Sequence, residues 1–200
     1  MTARRCYGMN PAPHPHPHEV SLWVRRFAPL IASGGAVLDL ACGNGRHARF
    51  LEAGGWRVEA VDRDAGALAA LADRPGIARR QADLEGGTWP YGGVRFDGIV
   101  VTNYLHRPLF PLLIDALAVG GILIYETFML GNERFGRPAN PDFLLRPGEL
   151  MEAFGGLLSV VAFEQGEIVA PKPAVVQRLC AANLPGSLRI RLPEPCQPVP

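Results

Sequence analysis

The stretch AVLDLACGNGRHARFLEAGGWRVEAVD, residues 36–62, decides the fold. Val37, Leu38 and Leu40 form a short apolar run, as expected of a strand buried on both faces. The run stops at a turn of small residues, Ala41-Cys42-Gly43-Asn44-Gly45. His47, Phe50, Leu51 and Gly54 then recur at helical spacing, Gly54-Gly55 stops the helix, and Val58, Ala60 and Val61 open a second apolar run that ends on Asp62. The order is therefore a strand, a glycine turn, a helix and a parallel strand. Small residues in such a turn let backbone N–H groups and a helix N-terminus come up against a ligand, and an acid ending the next strand suits a ribose.

A dinucleotide fingerprint would read G-x-G-x-x-G, or Ala in the last place, with an acid about 20 residues on. Here the spaced small residues are Ala41, Gly43 and Gly45, Asp39 precedes them, and Ala48 stands where a third glycine would be. The run Asp39-Leu40-Ala41-Cys42-Gly43-Asn44-Gly45 instead resembles the first motif of the class I S-adenosylmethionine-dependent methyltransferases, an acid followed by alternating small residues. The resemblance spans roughly Leu22 to Asn183. It implies an α/β, doubly wound, Rossmann-like single domain: a mostly parallel sheet with a reversed C-terminal edge hairpin. It also implies S-adenosylmethionine as cofactor, with S-adenosylhomocysteine as product. Asp39, Ala41, Gly43, Asn44, Gly45 and Arg46 match positions around that cofactor, as do Asp62 and Arg63 at the end of the second strand. Ala41-Cys42-Gly43 and the brevity of the chain make it most similar, within the family, to small tellurite-resistance-like bacterial methyltransferases.

Length and charge narrow the class further. Two hundred residues suit one domain with a full core, read here as residues 19–183 between a Pro/His-rich tail (1–18) and a Pro-rich tail (184–200). Twenty basic residues against nineteen acidic leave the chain nearly neutral, with no like-charge cluster to serve as a nucleic-acid footprint, so no nucleic-acid partner is expected. Apolar runs such as Ile99–Val101 and Gly120–Tyr125 fall short of a membrane span, and the polar, proline-rich start gives no signal peptide; a cytoplasmic protein is expected. Cys6, Cys42, Cys180 and Cys196 are scattered without a C-x-x-C pair, which reads as reduced thiols, with Cys42 a small packing residue. His14, His16 and His18 alternate with prolines in the first tail, an extended solvated pattern from which no metal site is expected.

Along the chain, Ser21 is placed to cap a helix with an apolar face of Leu22, Trp23, Phe27 and Leu30-Ile31. In the resembling family that helix lies beside the cofactor cleft, so Trp23 either lines the cleft or belongs to the core. Asp64 caps a helix carrying Ala67, Leu68 and Leu71, and Ile77 to Ala82 is a strand leading to Asp83-Leu84. Asp83 and Leu84 match the family's acceptor of the adenine amino group and the apolar cover of the ring. The strongest strand, Phe96 to Val101, ends at Thr102-Asn103-Tyr104-Leu105-His106-Arg107-Pro108. Ligands of open α/β sheets bind outside the carboxyl ends of the strands, so this cluster shares a crevice with Asp39, Asp62 and Asp83, and the methyl acceptor is expected there. Thr102 and Asn103 fall on the cofactor side of it, Tyr104 and His106 on the reacting side. Base-modifying relatives carry Asn or Asp followed by Pro-Pro and an aromatic at this point; this chain lacks both prolines, which points away from a base as substrate.

A helix is expected over about 109–118 and a buried strand over Ile122 to Glu126. Residues 127–146 are too polar and too broken for a regular element, yet carry Phe128, Phe135 and Phe143 with Asn132, Glu133, Arg134 and Arg137; a lid over the substrate is the expectation, an ordered decoration the alternative. A short helix with Pro147 at its front follows, then two apolar runs, Leu157 to Phe163 and Ala174 to Ala181, paired antiparallel. His106 is the candidate base, because its ordinary pKa lies near neutrality, and Tyr104 the candidate for orienting the acceptor. Arg46 and His47, opening the first helix, are either contacts for the methionine carboxylate or, equally, a solvated Arg and a core-facing His. The leading reading is a methyltransferase acting on a small molecule; an RNA or protein methyltransferase, a nicotinamide-dependent oxidoreductase and a non-catalytic cofactor-binding protein are the alternatives.

Overall fold

A computed structural model describes residues 19–186 and 190–194. Seven strands form one sheet in the order β3-β2-β1-β4-β5-β7-β6, and the first five run parallel. They are β1 (Ala36–Leu40), β2 (Arg57–Asp62), β3 (Ile77–Gln81), β4 (Phe96–Thr102), β5 (Leu117–Phe128), β6 (Ser159–Ile168) and β7 (Ala174–Ala182). The hairpin β6–β7 is reversed, β7 pairing antiparallel with β5, as expected. The helices are α1 (Leu22–Phe27), α2 (Arg46–Ala53), α3 (Ala65–Ala69), α4 (Phe110–Ala116) and α5 (Glu149–Phe154).

The layers follow from the period-2 alternation of strand side chains. Val37, Val58, Ala60, Val100 and Ile124 face one side and pack with Trp23 and Phe27 of α1, Ala48 and Leu51 of α2 and Leu68 of α3. Leu38, Leu40, Val61, Ile99, Val101 and Tyr125 face the other and pack with Leu113 of α4 and Leu150 and Phe154 of α5. Ser21 caps α1, its hydroxyl accepting from the amides of Trp23 and Val24, and Asp64 caps α3 through the amides of Gly66 and Ala67.

Several boundaries differ from the sequence reading. The fourth helix ends at Ala116 rather than near 118, because Leu117 pairs with Phe96 and joins β5. The first strand of the hairpin runs on to Ile168, its outer half exposed and held by ladder bonds rather than by apolar burial. Pro147 lies outside α5, whose cap is Gly148 in the left-handed region. Trp23 does not line the cleft: it is buried in the core, edge-on to Phe27, and its indole N–H donates to the Leu179 carbonyl. The Pro/His tail, with its three histidines, lies outside the described residues; of the C-terminal stretch, Leu184 and Ile190 pack against the α1–α3 side of the core.

Candidate functional site

Register brings the candidate residues to one edge. Leu40 is level with Val61 and Val101, Asp62 pairs with Gln81, and Thr102 pairs with Glu126. One residue beyond the β1 pairings, Gln81, Asp62, Ala41, Thr102 and Glu126 therefore form a row across five carboxyl ends. Two residues on this edge take a left-handed backbone without being glycine, Ala41 (φ 52°) and Asn103 (φ 55°), where β1 and β4 turn out of the sheet. Such backbone is uncommon for a residue with a Cβ and persists only where its surroundings over-determine it.

The glycine turn is pinned from the next strand. The Gly43 N–H donates to Asp62 Oδ2 at 2.8 Å, and the Asp64 N–H to Asp62 Oδ1 at 2.9 Å. Gly45 caps α2 at φ 71°, and a Cβ there would come within 2.5 Å of the buried Leu71 side chain. The Asp62 carboxylate keeps lone pairs beyond those two amides, since an ionised carboxylate offers about four acceptor positions. Asn44 is exposed, and its carbonyl accepts from Arg49 Nη1 at 2.6 Å. Cys42 is buried; its thiol donates to the Gly43 carbonyl, and burial pushes its pKa up, so it stays protonated packing.

Asp39 lies beneath the turn. Its strand neighbours Ala60 and Val100 belong to the α1–α3 side of the core, so its carboxyl projects under α2. The residue is 1% exposed, and neither oxygen has a hydrogen-bond partner among the described residues. Burial pushes its pKa up to about 7, with the Ala48 amide and the Arg46 guanidinium opposing the shift and Asp62 adding to it. A buried acid without a partner costs free energy unless a cation or donor reaches it.

On the same side His47 is 1% exposed and fully engaged with the protein. Its Nε2 accepts from the Ser21 amide (3.2 Å) and from Arg46 Nε (3.3 Å), and its Nδ1 lies 3.2 Å from Thr102 Oγ1. Burial, with Arg46 beside it, lowers its pKa to about 3, so the imidazole is neutral. Of the two readings of His47, the core-facing one holds: both ring nitrogens are taken by the protein.

Farther along the edge, Asp83 is exposed, accepts from the Glu85 amide at 3.0 Å, and has its pKa lowered by the amides of Glu85 and Gly86, with Arg63 and His106 adding positive charge. Tyr104 joins this group. Its hydroxyl is buried with no hydrogen-bond partner among the described residues, and burial raises its pKa, helped by the nearby carboxylates of Glu85 and Asp83 and opposed by Arg63. Arg63, Asp83, Glu85, Tyr104 and His106 thus gather at the ends of β2, β3 and β4, and Leu84 is half-buried beside them. Glu85 carried no signal in the sequence beyond its place next to Asp83-Leu84.

The wall after β4 is held by side chains that sequence reasoning missed. Arg107 forks onto Glu149, Nε to Oε1 at 2.6 Å and Nη2 to Oε2 at 3.1 Å. It also donates to the carbonyls of Asp142 (2.8 Å) and Leu144 (2.9 Å). Tyr125 donates from its hydroxyl to the Tyr104 carbonyl at 3.0 Å, and Gln177, wholly buried, accepts from the Leu150 amide and donates to the Arg146 carbonyl. Residues 129–146 are built onto the sheet: Met129 bridges Leu145, and Asn132 accepts from the Val175 amide and donates to the Pro138 carbonyl. Among the described residues no cluster of His, Cys, Asp and Glu could hold a metal ion, and no helix is long and apolar enough to cross a membrane.

Comparison with known proteins agrees with this geometry. Residues 37–118 match a family model described as "Methyltransferase domain". The fold is similar to that of TehB from Haemophilus influenzae, at 20% identity and a TM-score of 0.67 over 82% of this chain and 62% of that one, so the chain spans under two thirds of its length. It is similar to a TehB-like SAM-dependent methyltransferase from Corynebacterium glutamicum (19%, TM-score 0.59, 82% and 88% covered) and to the N-methyltransferase NodS from Bradyrhizobium japonicum (17%, TM-score 0.62, 82% and 93%). No curated protein matches the chain in sequence. Residues 37–118 are thus similar to a methyltransferase domain, and the three solved structures share the fold of this chain.

Proposed function

We propose that this chain transfers a methyl group from S-adenosylmethionine to a small molecule, and that the edge formed by Asp39, the 41–45 turn, Asp62 and Asp83 holds the cofactor. One observation supports this above the others: a buried carboxyl, Asp39, has no hydrogen-bond partner among the described residues, with only the pull of the Ala48 amide and the Arg46 guanidinium against its burial, beneath a turn whose amides and glycines admit a ligand. The residues fit the group. Asp62 has acceptor capacity left for two vicinal hydroxyls, Asp83 accepts an amino proton, Leu84 offers an apolar cover, and Arg46 with Thr102 supplies donors for a carboxylate. Gly43, Asn44, Gly45, Arg63 and Asn103 complete the rim. When bound, S-adenosylmethionine supplies an electrophilic methyl group on a positively charged sulfur.

What the chain itself does is positional. Bringing an acceptor atom into line and excluding water converts an encounter into a near-attack geometry, and most of the rate can come from that. Tyr104, its hydroxyl unspent, orients the acceptor, and His106, half-buried at the end of β4, takes a proton where the acceptor must lose one. Near-neutral charge and the absence of the Pro-Pro pattern after Asn103 favour a small acceptor over RNA. NodS is described as an N-methyltransferase, which makes small amines the first acceptors to try. The test is a screen of candidate acceptors with methyl-radiolabelled cofactor, run beside His106→Asn. Label transfer to a small molecule, reduced by about a hundredfold or more in the variant, is expected; label passing only to RNA or protein overturns the small-molecule reading.

A further inference from the structure

The imidazole of His47 meets two obligate donors on one nitrogen. A backbone amide and an arginine Nε–H can only donate, so Nε2, which receives both from Ser21 and Arg46, carries no proton. The ring is neutral, so its single proton sits on Nδ1 and is donated to Thr102 Oγ1. The Thr102 hydroxyl, acting as acceptor there, makes no other hydrogen bond among the described residues, and its own proton is left to point elsewhere. Arg46 is in the same position: Nε is spent on His47, while its two terminal amino groups have no partner among the described residues. Both groups belong to the edge that carries the glycine turn, Arg46 at the first position of α2 and Thr102 level with Ala41. One buried ring thus fixes the orientation of two donors that the protein does not use.

We propose that His47 is a positioning residue for the cofactor's amino-acid end: it aims the Arg46 guanidinium and the Thr102 hydroxyl proton at the carboxylate. This rests on the cofactor reading above, which gives the carboxylate to Arg46 and Thr102, and goes beyond it by assigning their alignment to a residue that touches no ligand. The Ser21 amide makes the arrangement depend on α1 as well, since the same residue caps that helix. Protonating the ring would place a second N–H against two donors, and its pKa, lowered to about 3, keeps that state away from neutral pH.

The test compares two ligands by calorimetry, S-adenosylhomocysteine and 5′-methylthioadenosine, which keeps the nucleoside and the thioether but lacks the amino-acid end. His47→Ala is expected to weaken S-adenosylhomocysteine by about tenfold or more and to leave methylthioadenosine within about twofold. Thr102→Val should reproduce the pattern with a smaller loss, and Thr102→Ser should restore binding. Equal losses for both ligands, or none, overturn the proposal while leaving the cofactor reading intact; a wild-type protein that binds neither ligand overturns both. Should His47→Ala fail to fold, nitrogen-15 NMR of the wild-type ring decides alongside the Thr102 pair: a proton on Nδ1 alone, unchanged from pH 5 to 8, is expected, and a proton on Nε2 overturns the assignment.

Discussion

The two walls of the crevice are built by different means. At the ends of β1–β3 most ties are short-range, Asp62 taking the amide of Asp64, Asp83 that of Glu85 and Asp64 those of Gly66 and Ala67, while Asp62 also reaches the Gly43 amide 19 residues back. Beyond β4 the chain is secured from far away, Arg107 reaching Glu149 across 42 residues and Arg178 reaching Glu126 across 52 at 2.5 Å. A carboxylate caught by a nearby amide forms wherever a short motif recurs. A fork between distant side chains forms only in one tertiary arrangement. Under the proposed function, the first wall takes the cofactor and the second the acceptor.

Asp39 is the exception on the first wall, and breaking it has the largest expected effect. Its folded pKa, pushed up to about 7 by burial, lies above the ordinary value of 3.8. Between those values the folded state holds a proton that the unfolded state has released. Stability contributed by this group is complete below about pH 4, falls as pH rises to 7, and is level above. Asp39→Asn removes that slope, and at pH 8 the ligand-free variant should be more stable than wild type by up to roughly 4 kcal/mol, three pKa units' worth. Urea titrations at pH 4, 6 and 8 measure it. Parallel pH profiles for the two proteins would mean that Asp39 has partners in solution and is no longer the wall's open position.

The second wall breaks at Arg107. Glu149 is 5% exposed, and without the guanidinium it keeps only the backbone of Arg146 and a longer approach of that arginine's side chain. Stranding a buried carboxylate is costly, and Arg107→Ala should lose about 3 kcal/mol in chemical denaturation. Affinity for S-adenosylhomocysteine should stay within about twofold, because this residue secures the other side. A large affinity loss would show that the walls are mechanically one.

This division also decides what could be read in advance. The sheet, its reversed hairpin, and the Asp39–Gly45 and Asp62 positions were legible because each depends on residues close in sequence: apolar runs of strand length, a small-residue turn, an acid at a strand end. The register then aligned them. Arg107, Glu149 and Gln177 were illegible because a charged or amide side chain in a polar stretch looks the same whether it is solvated or buried against a partner 40 residues away. For Trp23 and His47 the inward face was legible and the partner was not. Periodicity said that each faces inward, and only packing could say that Trp23 meets the Leu179 carbonyl and His47 the Ser21 amide.

Within the first wall, the two glycines of the turn separate space from conformation. Gly43 and Gly45 both sit at positive φ, 53° and 71°, yet a Cβ on Gly43 meets nothing within 4 Å while one on Gly45 drives into Leu71, itself wholly buried. Gly45→Ala should cost about 2 kcal/mol, and Gly43→Ala about 1 kcal/mol, from backbone strain alone. Thermal unfolding of the two variants orders them. Equal costs would mean that Leu71 yields and that α2 is less tightly seated than the contact implies.

The smallest effect tests whether Asp62 is a ligand for ribose or only the pin of the turn. Asp62→Ala removes both roles, so a drop in S-adenosylhomocysteine affinity of about tenfold, the scale of a lost charge-assisted hydrogen bond, cannot by itself tell them apart. Asp62→Asn can. The amide oxygen still accepts the Gly43 N–H and preserves most of the pin, while the charge and one acceptor are gone. If Asp62 holds hydroxyls, the Asn variant unfolds within about 1 kcal/mol of wild type yet keeps most of the affinity loss. If affinity returns along with stability, the turn alone was responsible, and the acid on this strand is a brace for the motif, not a contact for the cofactor.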